Sequence, residues 1–416
     1  MAPVTVLRGS RLIDGTNAPP VADAAVVIAD GRVMAAGAAR ALNLPSGSDV
    51  VTRDYSGCTL LPGLIDSHTH LMFSASDQAL HDAIHDTDET LLLRGLANAQ
   101  AEMLCGVTTL RDCGGRGFLT VSLRDAINRG LSNGPRILAA AMPITTTAGH
   151  LNFCGLEADG MVEIVKATRR LCKGGVDFIK VMATGGGMTP GSNARAAQFT
   201  VEELSAIVRE ARRLGGKHVA AHCHATAGIA NAVEAGVRTI EHCSWLHPVD
   251  GLEFDPRIVQ RMVEKGTYVS LTMGSERAAI KPDDQLVPWQ RDAVAHYDEH
   301  FEFLRRTIRG GARFIASSDA GVQRTIFGEY ALTLEVMVAK LEIAPAEVLF
   351  ATTGRAAEAL GISDLVGALV PARRADVVVV EGDPIADIRA MRAVQAVYRD
   401  GVVVAEGGRL VPAQIR

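Results

Sequence analysis

Apolar and polar positions change rhythm along the chain. Over residues 1–58 they form short runs at Val4–Leu7, Ala25–Ala29, Arg32–Ala36 and Val50–Asp54, broken by Asp14-Gly15 and Asp30-Gly31. Short β-rich runs between turn dipeptides predict strands. The C-terminal stretch repeats this style at Ala375–Val380, Ala396–Arg399 and Gly401–Ala405, with Asp400-Gly401 as a hairpin turn. Both chain ends are therefore expected to build one small β-sandwich domain, residues 1–58 plus 369–416. Residues 59–368 alternate differently, a strand followed by an amphipathic helix. The strand candidates are Leu60–Asp66, Val107–Asp112, Arg136–Ala141, Val176–Met182, His218–His222, Arg238–His242, Tyr268–Thr272 and Arg313–Asp319. Stretches such as Val201–Leu214, Thr226–Glu234 and Pro256–Glu264 have helical spacing, and Gly106, Gly175, Gly236, Gly266 and Gly311 punctuate the passage into the next strand. Eight strands separated by helices predict an α/β fold with a (β/α)8 TIM barrel. A doubly wound sheet is the alternative, without a Gly-x-Gly-x-x-Gly to support it.

Composition narrows the function. The 416 residues are 48% hydrophobic and 21% charged with a net charge of −5, which predicts a globular protein without a nucleic-acid or acidic-membrane partner. No apolar stretch reaches membrane-spanning length. Met1-Ala-Pro-Val-Thr-Val6 lacks a charged start followed by an apolar core, so no secretory signal is expected. Seven scattered cysteines without a Cys-x-x-Cys read as reduced thiols in a cytoplasmic protein. Cys223 and Cys243 each follow a histidine, and strand alternation turns them away from it into the packing.

The chemistry gathers where the strands end. Leu61-Pro-Gly-Leu-Ile-Asp-Ser-His-Thr-His70 closes an apolar run with His68 and His70, whose i and i+2 side chains leave one face and reach one point. Later strands end near Lys180, in His222-Cys-His224, in Glu241-His242 and in Ser317-Ser-Asp319. In a barrel these ends share one face. Any one of them has an ordinary structural reading, such as a hydrogen-bonded histidine or an Asp helix cap. Their coincidence on five strands points to a metal site. Lys180 lies between Ile179 and Val181, where a lysine is unusual. It could snorkel to the barrel mouth. Alternatively, desolvation and nearby metal charge favour a neutral amine over an ammonium. Such an amine can add carbon dioxide, giving a carbamate with two oxygens for two metal ions.

This set of His-x-His, Lys, His, His and Asp resembles the amidohydrolase superfamily with its binuclear metal centre and carboxylated lysine. The resemblance spans nearly the whole chain, including Gly106–Asp112, Gly354–Leu360 and Arg374–Pro384. Ile179–Gly187, Ala221-His-Cys-His224 and Ile240-Glu-His242 are most similar to the imidazolonepropionase-like branch, which includes Xaa-Pro and other metal dipeptidases and ochratoxin-hydrolysing amidases. The resemblance implies that His68, His70 and Asp319 hold the more buried metal and His222 and His242 the other, bridged by carboxylated Lys180. Zinc is the default for this donor set, with manganese, cobalt or iron also fitting. His222 or His224 could be the fifth strand's ligand. His222 matches the family position, leaving His224 beside the metal or the substrate.

The implied reaction is hydrolysis of a C–N amide bond by metal-activated hydroxide, with Asp319 moving the proton to the leaving nitrogen. His150 in Thr145–His150 matches a Gly-His of the same branch and could donate to the oxyanion; otherwise it caps its loop. The expected substrates are small amides, namely dipeptides or N-acyl amino acids with a free carboxylate. Arg195, Arg277 and Arg324 are candidates to bind that carboxylate, or are ordinary solvated loop residues. Met188, with Met182, Met273 and Phe327, could line an apolar pocket or pack the barrel. Gly185-Gly-Gly187 permits close backbone approach or a mobile lid, whereas a phosphate cradle lacks the following Gly-Lys-Ser/Thr. His81, His85, His218, His247, His296 and His300 show no convergent partner. Alternatives are hydrolysis of a cyclic amide, urea or carbamate, deamination, a non-catalytic metal-binding subunit, or a sugar- or phosphate-binding barrel. A homo-oligomer is expected because assembly is common among such enzymes.

Overall fold

The structure, a computed structural model, describes residues 4–276 and 297–412. It is a mixed α/β chain whose strands fall into three sheets. Strands β1 (Val4–Leu12), β2 (Val21–Ala29), β3 (Arg32–Ala38) and β4 (Val50–Pro62) open the chain. The central region carries β5 (Leu64–Thr69), β6 (Val107–Asp112), β7 (Arg136–Ala139), β8 (Ile144–Thr145), β9 (Leu156–Glu157) and β10 (Ile179–Met182). It continues with β11 (Val219–Ala225), β12 (Thr239–Leu246), β13 (Tyr268–Thr272) and β14 (Arg313–Ser317). The chain closes with β15 (Val377–Glu381), β16 (Val394–Arg399), β17 (Val402–Glu406) and β18 (Arg409–Leu410).

Both chain ends join one eight-stranded sheet in the order β18-β17-β16-β15-β4-β1-β2-β3. The seam between the ends is β15 against β4, antiparallel, with Val377 opposite Pro62 and Val379 opposite Leu60. The run of four valines from Val377 to Val380 is buried throughout, because Val377 and Val379 pack into the end sheet's core while Val378 and Val380 join the central core. β-Branched residues suit such a two-sided position.

The central strands β5 to β14 pair in parallel, in the orders β14-β13-β12-β11-β10-β8-β9 and β5-β6-β7. Backbone hydrogen bonds link the two sets at both flanks: Asp177 N–H donates to Ala139 O at 2.9 Å, and Asp319 N–H to His68 O at 2.9 Å. Helices separate the strands, and their ends follow local chemistry. Thr200 and Glu203 form a reciprocal capping box on the helix Val201–Arg213. Gly236 and Gly266 close the helices Thr226–Ala235 and Pro256–Lys265 in the left-handed conformation that a side chain would strain. Among the described residues, no helix is long and apolar enough to cross a membrane.

The eight expected central strands are present, Val107–Asp112 and Tyr268–Thr272 with the expected bounds and the others shifted. The strand expected at Leu60–Asp66 is two: Leu60–Pro62 end β4, and β5 begins at Leu64. Gly63 marks the break, where a Cβ would lie 2.0 Å from Thr108 Oγ1. β11 and β12 run further than expected, to Ala225 and Leu246, and the short β8 and β9 had no signal in the pattern.

Candidate active site

β5 delivers His68 and His70 on one face, as the i, i+2 spacing requires. His68 Nδ1 lies 2.7 Å from Glu241 Oε2, and His70 Nδ1 lies 2.8 Å from Gly114 O. A carboxylate and a carbonyl only accept, so each Nδ1 carries the proton and each Nε2 a lone pair. Those two Nε2 atoms face each other at 3.3 Å. Asp319 Oδ1 sits 3.4 Å from the first and 3.6 Å from the second. It is buried without a hydrogen-bond partner. Three acceptors thus converge on one point at the cavity wall. Among the described residues, Lys180 Nζ offers a donor to them, 3.4 Å from His68 Nε2. A divalent cation would resolve the clash of lone pairs, and this N/O donor set fits one.

A second group adjoins the first. His222, His224 and His242 each offer a ring nitrogen, all within 4.8 Å of one another. His222 Nε2 is 3.1 Å from Gly185 O and donates to it, which leaves Nδ1 with a lone pair. His224 Nδ1 meets Ser244 Oγ at 2.7 Å, and His242 Nδ1 meets Thr272 Oγ1 at 2.8 Å. Lys180 on β10 is fully buried and borders the same cavity of about 270 Å3 as His70, His222, His242 and Asp319.

Two ligand candidates reach the cavity through unusual backbone. His242 has φ +68° and Asp319 φ +64°, both left-handed and non-glycine. Regular alternation would send Glu241 and His242 to opposite faces of β12. The left-handed residue re-aims the strand end, so Glu241 stays beneath the site while His242 enters the cavity. Such strain at a cluster of convergent donors is what a functional site stores.

The electrostatics agree. Burial pushes the Asp319 carboxyl well above the usual carboxylate range, against the pull of Lys180. Burial also lowers the imidazoles: His70 to about 4 and His150 to about 3, with His68, His222 and His242 well below the ordinary value. Neutral imidazoles are what metal ligation needs. Glu241 behaves oppositely: burial works against its charge, but Arg111 and His68 outweigh burial and hold its carboxyl well below the usual range.

His150, His224 and Met188 also line the cavity. His150 Nδ1 is 3.1 Å from Thr189 Oγ1, which itself accepts from Leu151 N–H at 2.8 Å. Gly186 lets the loop after β10 close on that ring, since a Cβ there would lie 2.5 Å from His150 Nε2. Two of the three arginines expected to bind a carboxylate are elsewhere. Arg195 donates to His247 O and Gly251 O, both at 2.8 Å, and Arg324 pairs with Asp77 at 2.5 Å; neither borders the cavity. Arg277 lies outside the described residues. Cys223 and Cys243 are buried thiols that burial pushes up, consistent with packing. His300 corrects the expectation of no partner: on the helix Tyr297–Arg309, it lines the cavity with Glu276, Ser244 and Gln323. The strand-end pattern missed these four because His300 is on a helix, Glu276 and Gln323 lie in the loops after β13 and β14, and Ser244 lies in the part of β12 beyond its expected end.

The sequence profile of the Amidohydrolase family matches residues 59–404. The chain belongs to the amidohydrolase family. This amidohydrolase is 30% identical to an ochratoxinase of Aspergillus niger, over 98% of this chain and 87% of that protein. It is 25% identical to an imidazolonepropionase of Chloroflexus aggregans, over 92% of this chain and 91% of that one. Among solved structures, a Xaa-Pro dipeptidase with methionine bound in its active site aligns with a TM-score of 0.84 and 28% identity, over 97% of this chain and 100% of that one. The amidohydrolase is thus a hydrolase acting on carbon–nitrogen bonds, in a family that generally uses divalent metal.

Proposed function

We propose that the chain is a binuclear metal amidohydrolase that cleaves the amide of dipeptides or N-acyl amino acids, of the prolidase or ochratoxinase type. The observation that carries this reading is the convergence of His68 Nε2, His70 Nε2 and Asp319 Oδ1, three buried acceptors, beside a cavity that also takes His222 and His242. We read the parallel strands as a closed (β/α)8 barrel, residues 59–368, beside a β-sandwich of residues 1–58 and 369–416.

His68, His70 and Asp319 would hold one ion and His222 and His242 the other, with Lys180, as a carbamate, between the two groups. Divalent metal bound there supplies Lewis acidity, polarising the scissile carbonyl and making water acidic near neutral pH. Asp319 accepts the proton of the attacking water and returns it to the departing nitrogen, which must leave as an amine. Its Oδ1, with no hydrogen-bond partner, is open to that proton. His150, neutral through burial, donates to the oxygen that gains charge at the carbonyl carbon. His224 and His300, which line the same cavity, would receive the substrate's carboxylate on their imidazoles.

The test is hydrolysis of a panel of Xaa-Pro and other dipeptides, N-acyl amino acids, lactams and carbamates by protein of known metal content. About two metal ions per chain, loss of turnover with a chelator and cleavage of carboxylate-bearing amides are expected. Turnover of lactams or carbamates alone would replace the substrate class, and metal-free protein with full activity would overturn the mechanism.

A further inference from the structure

Beneath the site, on the side away from the cavity, lies a buried charged chain with no place in the reaction above. Glu241 Oε2 accepts the Nδ1–H of His68 at 2.7 Å, while Oε1 accepts from Arg111 Nη2 at 2.7 Å and from Thr239 Oγ1 at 2.5 Å. Arg111 also donates from Nη1 to Thr239 Oγ1 at 3.0 Å and from Nε to Ser67 O at 2.5 Å. The directions are mutually fixed: arginine gives to the threonine oxygen, whose own proton can then only go to the carboxylate. All members are closed to solvent, with Arg111 3% exposed and Glu241 and Thr239 fully buried.

We infer that Glu241, locked by Arg111 and Thr239, is a positioning residue that sets the tautomer and donor strength of His68. The inference rests on the proposed metal site. The two β5 histidines differ in this respect. His70 gives its Nδ1–H to a neutral backbone carbonyl, whereas His68 gives its own to a carboxylate. An anionic acceptor makes the opposite nitrogen a stronger donor, and partners of this kind typically change metal affinity by about 10–100-fold. A metal held by Glu241 itself, with His68 and Cys113, is the competing reading of the cluster. It conflicts with the hydrogen bonds that already engage both carboxylate oxygens, and with a Cys113 thiol that burial pushes up to about 12. Sequence parity supports the positioning role. Thr239 and Glu241 are i and i+2 on β12 and so share one face of that strand, and Arg111 reaches both with its side chain from β6 in the other parallel sheet.

The experiment is calorimetric titration of Zn2+ into full-length, metal-stripped wild type and Glu241→Gln, with each fold checked by circular dichroism. The amide keeps the shape but removes the charge, so one of the two ions should bind about 10–100-fold more weakly while the other keeps its affinity. Wild-type affinity for both ions in Glu241→Gln, or equal weakening of both, would overturn the inference. Wild type that binds no metal would instead sink the metal reading itself. Because Glu241→Gln leaves Arg111 buried and uncompensated, the pair Arg111→Met with Glu241→Gln is titrated too, with the same one-site loss expected. Neither variant is needed for the third readout, 15N NMR of histidine-labelled, metal-stripped wild type, with His68→Gln to assign the signal. A protonated Nδ1 on His68 is expected, and a protonated Nε2 would reject the assignment.

Discussion

Asp319 combines three properties that an ordinary strand-end carboxylate lacks. Its backbone is left-handed, its Oδ1 is buried without a hydrogen-bond partner, and two imidazole lone pairs stand within 3.6 Å. Asn is nearly isosteric and adopts the left-handed region readily, so Asp319→Asn should keep the fold. It cannot take up a proton from water at neutral pH. The expected outcome is a kcat at least about 100-fold lower with a melting curve close to wild type, in line with the usual worth of a positioned acid–base group. Near-wild-type turnover of the substrate identified by the panel would remove Asp319 from the reaction. The carboxylate and the histidines were legible in the sequence because their residue types recur at strand ends. The φ values were not, because nothing about Asp319 or His242 as letters requires a left-handed backbone.

At the scale of elements, the strand-and-helix rhythm was readable wherever amphipathic helices separated apolar runs. Its failures have local causes. Leu60–Pro62 and Leu64–Thr69 read as one apolar run, and only tertiary pairing assigns Pro62 to Val377 across the end sheet. His300 sits on the helix Tyr297–Arg309, so no strand-end pattern pointed to it. The helix Val201–Arg213 starts at a capping box in which Thr200 and Glu203 make both reciprocal hydrogen bonds. The box fixes the start of the helix that follows the glycine loop, yet touches nothing in the cavity. Thr200→Ala should therefore cost about 1 kcal/mol of stability. The urea midpoint should fall with an unchanged slope, and kcat should be unaltered. A large loss of kcat without loss of stability would mean that the cap holds the glycine loop and not merely its helix.

Across the whole molecule, the site itself bears on stability. Metal-free protein must keep several imidazoles uncharged inside the fold: burial lowers His70, His224 and His300 each to about 4, with the charge of Lys180 adding to the effect on His70 and that of His300 on His224. The unfolded chain titrates them near 6.5. Their folded values lie below the unfolded ones, so the unfolded state binds more protons between about 6.5 and 4. Their contribution is fully present above pH 6.5 and is lost as pH falls through that window. Metal that binds only the folded chain adds to this, by about 2.7 kcal/mol at a free concentration one hundred times the Kd. Chemical denaturation of stripped protein should thus show stability falling from pH 6.5 toward pH 4. Added Zn2+ should raise the curve most at neutral pH and least at acid pH, because protons and metal compete for the same nitrogens. A metal-induced gain that is constant across this range would place the bound ion away from the histidine cluster.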